Sequence, residues 1–229
     1  MTDTYEAVFW DVGGVILRLE SVQEGHYAFI SALLDTYESD QTVETALETW
    51  RETLGAYFRE TEGNDYRPAR DGYRRAVDAI LDADADDVAW KPLFNDSYNE
   101  CATAYPDAIE TIERLDETAM HLGIISDVDH EEGKRLLESL GVLDAFDSVT
   151  TSEEVGRKKP DQAMFETALE KAGVAPERSV MIGDRYSHDM VGGHEAGMTT
   201  VAYGADDGPA VDYSVDDLTE VLSIVGVDS

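Results

Sequence analysis

Short apolar runs recur along the chain, and the most informative polar residues stand at their ends. Ala7-Val8-Phe9-Trp10 stops at Asp11 and is followed by the turn signal Gly13-Gly14. Similar runs are Leu122-Gly123-Ile124-Ile125, Ser148-Val149-Thr150, Val180-Met181-Ile182 and Thr200-Val201-Ala202. Their length and composition predict strands buried on both faces. Helical periodicity separates them, over Ala108 to Leu115, Glu131 to Leu140, Gln162 to Ala172 and Asp189 to Ala196. Strand and helix in alternation predict an α/β fold with a Rossmann-like parallel sheet. Helix-start signals are expected at Asp129, with Glu132 three residues on, and at Pro160 before Met164-Phe165.

Between residues 19 and 103 the alternation stops. Tyr27 to Leu34, Val43 to Phe58, Tyr73 to Leu81 and Val88 to Ala102 all read as helix, with Pro92 predicting a break or a late start in the last. Glu62-Gly63-Asn64-Asp65 and the acidic stretch 82–87 read as exposed connections. The expected organisation is a core domain of residues 1–18 and 104–229, with an inserted all-helical cap domain of residues 19–103. An insert after the first strand of an open sheet leaves from the strand ends where such folds bind ligands.

Composition narrows the class. Hydrophobic residues make up 42% of the 229, enough for a buried core. No apolar run reaches the roughly 20 residues of a membrane span, and Met1 to Glu6 lacks the basic start of a signal peptide. The single Cys101 cannot form an internal disulfide; with no evident base partner it reads as a small buried residue in a reducing cytoplasm. Fifty acidic residues against 17 basic ones give a net charge of −33, spread over every segment. A dispersed acidic surface with five lysines suits a cytoplasm rich in potassium salt, where the Debye length falls to roughly 3 Å at 1 M. A halophilic host is expected, and nucleic acid, whose phosphates would be repelled, is not an expected partner.

The candidate chemistry lies where the runs end. Asp11, Ser126 and Asp184 each follow a predicted strand, and in an open parallel sheet those ends share one crevice. These segments resemble, in order, the four motifs of the haloacid dehalogenase superfamily. Phe9-Trp10-Asp11-Val12-Gly13-Gly14-Val15 is similar to the first, whose leading aspartate is the nucleophile. Ile124-Ile125-Ser126-Asp127 resembles the second, and Lys158-Lys159-Pro160-Asp161 the third, with its charge-neutralising lysine. Gly183-Asp184-Arg185-Tyr186-Ser187-His188-Asp189 resembles the acidic metal-binding turn of the fourth. The helical insert resembles the family's smaller cap, and the tail from Val211 to Glu220 is also similar.

The resemblance implies a Mg²⁺-dependent hydrolase of small phosphomonoesters. Asp11, Ser126 and Lys159 would be catalytic; Ser126, Asp127 and Lys159 would hold substrate. Asp11, the Gly13 carbonyl, Asp184 and Asp189 would hold the metal, Asp189 either directly or from behind. Hard oxygen donors suit Mg²⁺, and a carboxylate attacking a phosphate dianion needs nearby positive charge. Asp11 would form an acyl-phosphate that water hydrolyses. One position departs from the family: its second aspartate is Gly13 here. Glycine keeps the carbonyl and loses a proton-transfer group typically worth ~10²–10⁴ in rate. The candidate replacements are His26 or Asp127, or else a substrate whose leaving group needs no proton.

Plainer roles stand beside these. Asp11 can be a turn former and Ser126 a helix cap. Lys158 competes with Lys159, although Pro160 favours the latter. His188 reads as a polar helix-start residue, and His121, His130 and His194 as structural or exposed. Trp10, Trp50 and Trp90 read as packing residues; Arg18, Tyr27 and Arg51 face either substrate or solvent. Three other functions compete. A metal-free 2-haloacid dehalogenase would tolerate Gly13 but has no need of Asp184 and Asp189. Carbon–phosphorus cleavage needs a Schiff-base lysine from the cap, which offers only Lys91. A catalytically impaired binding protein would not need the nucleophile. Substrate identity and oligomeric state have no readable signature.

Overall fold

A computed structural model describes residues 5–82 and 87–227, so most of the expected acidic connection at 82–87 lies outside the described residues. Strand β1 (Ala7–Trp10) is followed by α1 (Leu19–Thr36), α2 (Val43–Arg59), α3 (Ala69–Leu81) and α4 (Asp87–Cys101). The chain then alternates through α5 (Pro106–Asp116), β2 (His121–Ser126), α6 (His130–Ser139), β3 (Ser148–Thr151), α7 (Ser152–Val155) and α8 (Gln162–Ala172). It ends with β4 (Ser179–Gly183), α9 (Val191–Glu195), β5 (Thr199–Tyr203), β6 (Tyr213–Val215) and α10 (Glu220–Ile224). By contacts it separates into two compact units, Met1–Arg18 with Ala104–Ser229, and Leu19–Thr103.

The first unit is a six-stranded sheet in the order β3-β2-β1-β4-β5-β6, parallel throughout. It is the expected Rossmann-like α/β fold. Every residue of β1 and β4 is buried, because helices cover both faces, and this is why those strands read as unbroken apolar runs. On one face Phe9, Ile125 and Met181 pack against Met164, Phe165 and Ala168 of α8. The strand order turns at β1, which has β2 on one side and β4 on the other, and a doubly wound sheet opens its ligand crevice at such a switch point. Register sets the crevice walls. Trp10 pairs with Ile124 and with Ile182, so Asp11 emerges level with Ile125 and Gly183, one residue short of Ser126 and Asp184.

The second unit is helical and closes on its own aromatic core. Phe29, Trp50, Trp90 and Phe94 are buried there, and the Tyr73 ring stacks on Trp50 at 5.4 Å and 11°. The α2–α3 connection is pinned: Tyr57 Oη donates to the Pro68 carbonyl at 2.8 Å, and the Arg67 guanidinium lies 3.9 Å from the Tyr57 ring centre. None of the described helices is long and apolar enough to cross a membrane.

Several local expectations need correction. Helix α4 runs through Pro92 without a break, its turns held by buried Trp90, Phe94 and Ser97. Asp129 is the N-cap residue of α6, where its start signal predicts it, but its side chain makes no capping bond; the His130 amide donates to Glu153 Oε2 at 2.8 Å. Asp161, not Pro160, caps α8, accepting from the Ala163 amide. The helix expected from Asp189 begins as a π-turn over Tyr186–Met190 before α9. The strand β6 was not expected, since only Val215 of its three residues is buried. Cys101 is half-buried rather than enclosed, and desolvation raises its thiol pKa.

Candidate active site

The nucleophile candidate is fixed by the sheet. The Asp11 amide donates to the Ile182 carbonyl at 3.0 Å, extending the β1–β4 ladder by one residue, and the residue is only 7% exposed. The chain then turns sharply: the Gly14 amide donates to the Leu17 carbonyl, and the Ile16 and Leu17 amides both return to the Val12 carbonyl. Gly14 has φ +77°, and a Cβ there would lie 2.0 Å from Asp184 Oδ2, so only glycine lets the loop approach that carboxylate. The turn after β4 has the same requirement. A Cβ on Gly183 would lie 2.2 Å from the Asp189 Cβ.

Lys159 ties these segments together. Its side chain is buried, with Nζ 2.9 Å from Asp11 Oδ1, 2.6 Å from Asp189 Oδ1 and donating to the Ile125 carbonyl at 2.9 Å. The Asp189 contact is too bent to count as a hydrogen bond, although the charges touch. Burial alone would depress the ammonium pKa, but Asp11, Asp189 and Asp127 together hold it above the ordinary lysine range. Lys158, its neighbour, is half-exposed and touches none of these carboxylates. The lysine before the proline is the one inside.

One ligand oxygen from each of Asp11, Asp184 and Asp189 lies within 4.8 Å of the others. Three carboxylates thus meet one ammonium. Desolvation, then the charge of Asp11, raises the Asp184 pKa to about 6. Asp189 is likewise raised to about 6, first by desolvation, with Lys159 opposing and Asp11 adding. Asp184 Oδ1 is buried with no hydrogen-bond partner, a costly state for a carboxylate unless a cation meets it. Among the described residues the Gly13 carbonyl accepts no backbone hydrogen bond, so it is a fourth oxygen at liberty. Hard oxygens, excess negative charge and an orphaned buried carboxylate oxygen fit a divalent cation such as Mg²⁺. Asp189 is also the internal brace of its turn, since Oδ2 accepts from the Arg185 amide at 3.0 Å.

Ser126 stands buried at the end of β2, beside Thr151 of β3, one residue beyond the level of Asp11. Asp127, the next residue, is held from two sides. Its Oδ1 accepts from Ser152 Oγ at 2.8 Å and from the Lys159 amide at 2.9 Å, so it clamps the lysine loop to the end of β2. His26 lies in the helical unit, its ring 5.4 Å from that of Trp50 and its Nε2 2.5 Å from Tyr98 Oη, and burial followed by Arg51 lowers its pKa to about 4. Sequence reasoning missed an Arg185–His188 pair: Arg185 Nη2 donates to His188 Nε2 at 2.6 Å. The other histidines are structural or exposed as expected, His121 joining Ser148, His130 meeting Thr151 and His194 facing solvent. Trp10, Trp50 and Trp90 are all buried packing residues.

The sequence profile of the haloacid dehalogenase-like hydrolases matches residues 41–203, and the chain belongs to this family. That match begins after Asp11, whose placement rests on the strand register and the Lys159 contact. The chain is 38% identical over 98 residues to a glyceraldehyde 3-phosphate phosphatase of Methanothermobacter thermautotrophicus, covering 42% of this chain and 43% of that one. It is 30% identical over 153 residues to a ribulose-1,5-bisphosphate 5-phosphatase of Halopiger xanaduensis, covering 61% and 64%. It therefore matches less than two thirds of either relative. Among solved structures, a phosphatase of this family from Thermococcus onnurineus superposes with a TM-score of 0.70 at 28% identity, over 97% of this chain and 99% of that one.

Proposed function

We propose that this chain is a Mg²⁺-dependent phosphomonoester hydrolase acting through an aspartyl-phosphate on Asp11. The observation that carries the reading is the Lys159 ammonium shared by Asp11 and Asp189 beside the partnerless Asp184 Oδ1. The relatives support the same class, being named as phosphatases of small phosphorylated sugars.

Asp11 attacks phosphorus, the phosphorus–oxygen ester bond breaks, and the alkoxide leaves with the electron pair. Water then attacks phosphorus in the acyl-phosphate, releasing inorganic phosphate and restoring the carboxylate. Lys159 orients the Asp11 carboxylate and offsets charge on the transferring group, and Ser126 donates to a phosphoryl oxygen. Asp11, Asp184, Asp189 and the Gly13 carbonyl are the oxygens that would hold a divalent cation, which would supply positive charge against the phosphate dianion when bound. Position 13 supplies no acid, so leaving groups that need no proton depart fastest.

Residues 19–103 are assigned the role of a substrate-selecting cap, on the family resemblance. The substrate is a small phosphorylated metabolite, with neither nucleic acid nor membrane as partner, and the dispersed acidic charge suits the cytoplasm of a halophile. The test is phosphate release from an aryl phosphate in high KCl. It should require Mg²⁺ and vanish in Asp11→Asn. Gly13 favours one rival, metal-free dehalogenation; chloride release from 2-haloacids without metal, and no phosphatase activity, would select it.

A further inference from the structure

The chain carries about three acidic residues for every basic one, yet the loops around the crevice hold two cations in no close ion pair among the described residues. Among the described residues, Lys158 and Arg185 make no ion pair with a carboxylate. They stand on the third-motif loop and the π-turn after β4, each next to a residue of the site.

Arg185 is exposed, but it is not loose. Its backbone amide is held by Asp189 Oδ2 at 3.0 Å, and its guanidinium donates to His188 Nε2 at 2.6 Å. An arginine can only donate, so Nε2 must be the bare nitrogen and Nδ1 carries the proton. Nδ1 lies 2.9 Å from Ser187 Oγ, which accepts that proton. His188 is therefore a neutral strut that aims the guanidinium without cancelling its charge. Lys158 directly precedes Lys159 and Arg185 directly follows Asp184, so both cations border the crevice.

We propose that Arg185, aimed by His188 and assisted by Lys158, forms a second anion subsite beside the phosphoryl site, selecting substrates that carry another anionic group. This rests on the phosphatase reading of the same crevice. A guanidinium held with free N–H groups binds a carboxylate or phosphate through paired charge-assisted hydrogen bonds, which outlast the screening of a plain point charge in concentrated salt. The chemical class is a small phosphate ester with a second phosphate or a carboxylate a few bonds away.

The test compares 3-phosphoglycerate with glycerol 3-phosphate, esters that differ in a carboxylate. The wild type should favour 3-phosphoglycerate in kcat/KM. Arg185→Gln with Lys158→Gln should lower that preference by about tenfold, through KM rather than kcat. Arg185→Lys should keep part of it, and His188→Phe should lose part by freeing the guanidinium. An equal preference in wild type and the double variant, with melting unchanged, overturns the subsite. If neither ester is hydrolysed, the phosphatase reading falls. Calorimetry then decides the subsite: binding of 3-phosphoglycerate weakened about tenfold in the double variant supports it, and binding unchanged or undetectable in the wild type overturns it.

Discussion

Lys159 Nζ lies 2.9 Å from Asp11 Oδ1, an ion contact sealed from solvent at the ends of the central strands. The same ammonium serves Asp189 and the Ile125 carbonyl, so one side chain joins β1, β2 and the turn after β4. Lysine here stabilises the packed site and prepares it for an anion.

Removing that charge has two measurable effects. Lys159→Met should cost roughly 3–5 kcal/mol of stability, because it leaves Asp11, Asp184 and Asp189 facing one another in a buried cluster. A divalent cation should restore part of the loss, while activity stays abolished. Urea unfolding with and without Mg²⁺ reads the first effect. A variant as stable as the wild type would show that the three carboxylates do not repel as their placement demands.

The raised carboxylates link stability, metal and pH. Burial, with Asp11 adding its charge, raises Asp184 and Asp189 to about 6 in the folded protein, above the ordinary carboxylate value of 3.8. Between those values the folded chain keeps protons that the unfolded chain has released. By linkage, their contribution to stability is present at low pH and is lost as pH rises from about 4 to about 6. Mg²⁺ competes with those protons. The Tm gain on adding Mg²⁺ should therefore be larger at about pH 7.5 than at about pH 5. Equal gains at both values would mean that the cation binds elsewhere.

Asp127 should act by position and not by proton transfer. Asp127→Ala leaves the Lys159 amide without its acceptor, a loss of about 1–3 kcal/mol, and kcat should fall about tenfold or more. Asparagine keeps an oxygen that can accept both bonds, so Asp127→Asn should retain most activity and an unchanged pH profile. Loss of one limb of the pH profile in the asparagine variant would instead make Asp127 the missing acid.

The sheet and its crevice were readable because burial on both faces leaves unbroken apolar runs, as in β1 and β4. Asp11 and Asp184 come together because register brings the ends of β1 and β4 to one edge, and Lys159 reaches Asp11 from the loop before α8. What escaped the sequence was carried by single bonds with no periodicity. The Asp127 clamp and the Arg185–His188 pair depend on side-chain aim, which residue spacing does not encode. Strand β6 was missed because an edge strand with one buried residue has almost no hydrophobic signature. Pro92 misled because a proline inside a helix is opposed here by the aromatic packing of its neighbours.

Position 13 offers a gain of function. A Cβ on Gly13 would meet nothing within 4 Å, so Gly13→Asp fits without displacing a neighbour. The added acid should raise kcat on alkyl phosphates about tenfold or more and change aryl phosphates little, because only the poorer leaving group needs a proton. No gain, with the fold intact, would show that another residue already donates it.

The central claim is a covalent bond between Asp11 and phosphorus, and it can be read directly. Quenching the enzyme during turnover and reducing with borohydride converts an aspartyl-phosphate to homoserine. Peptide mass spectrometry should then place homoserine at position 11, only when Mg²⁺ and substrate are both present. Phosphate released at full rate with residue 11 unchanged, or homoserine found at another aspartate, would contradict the account.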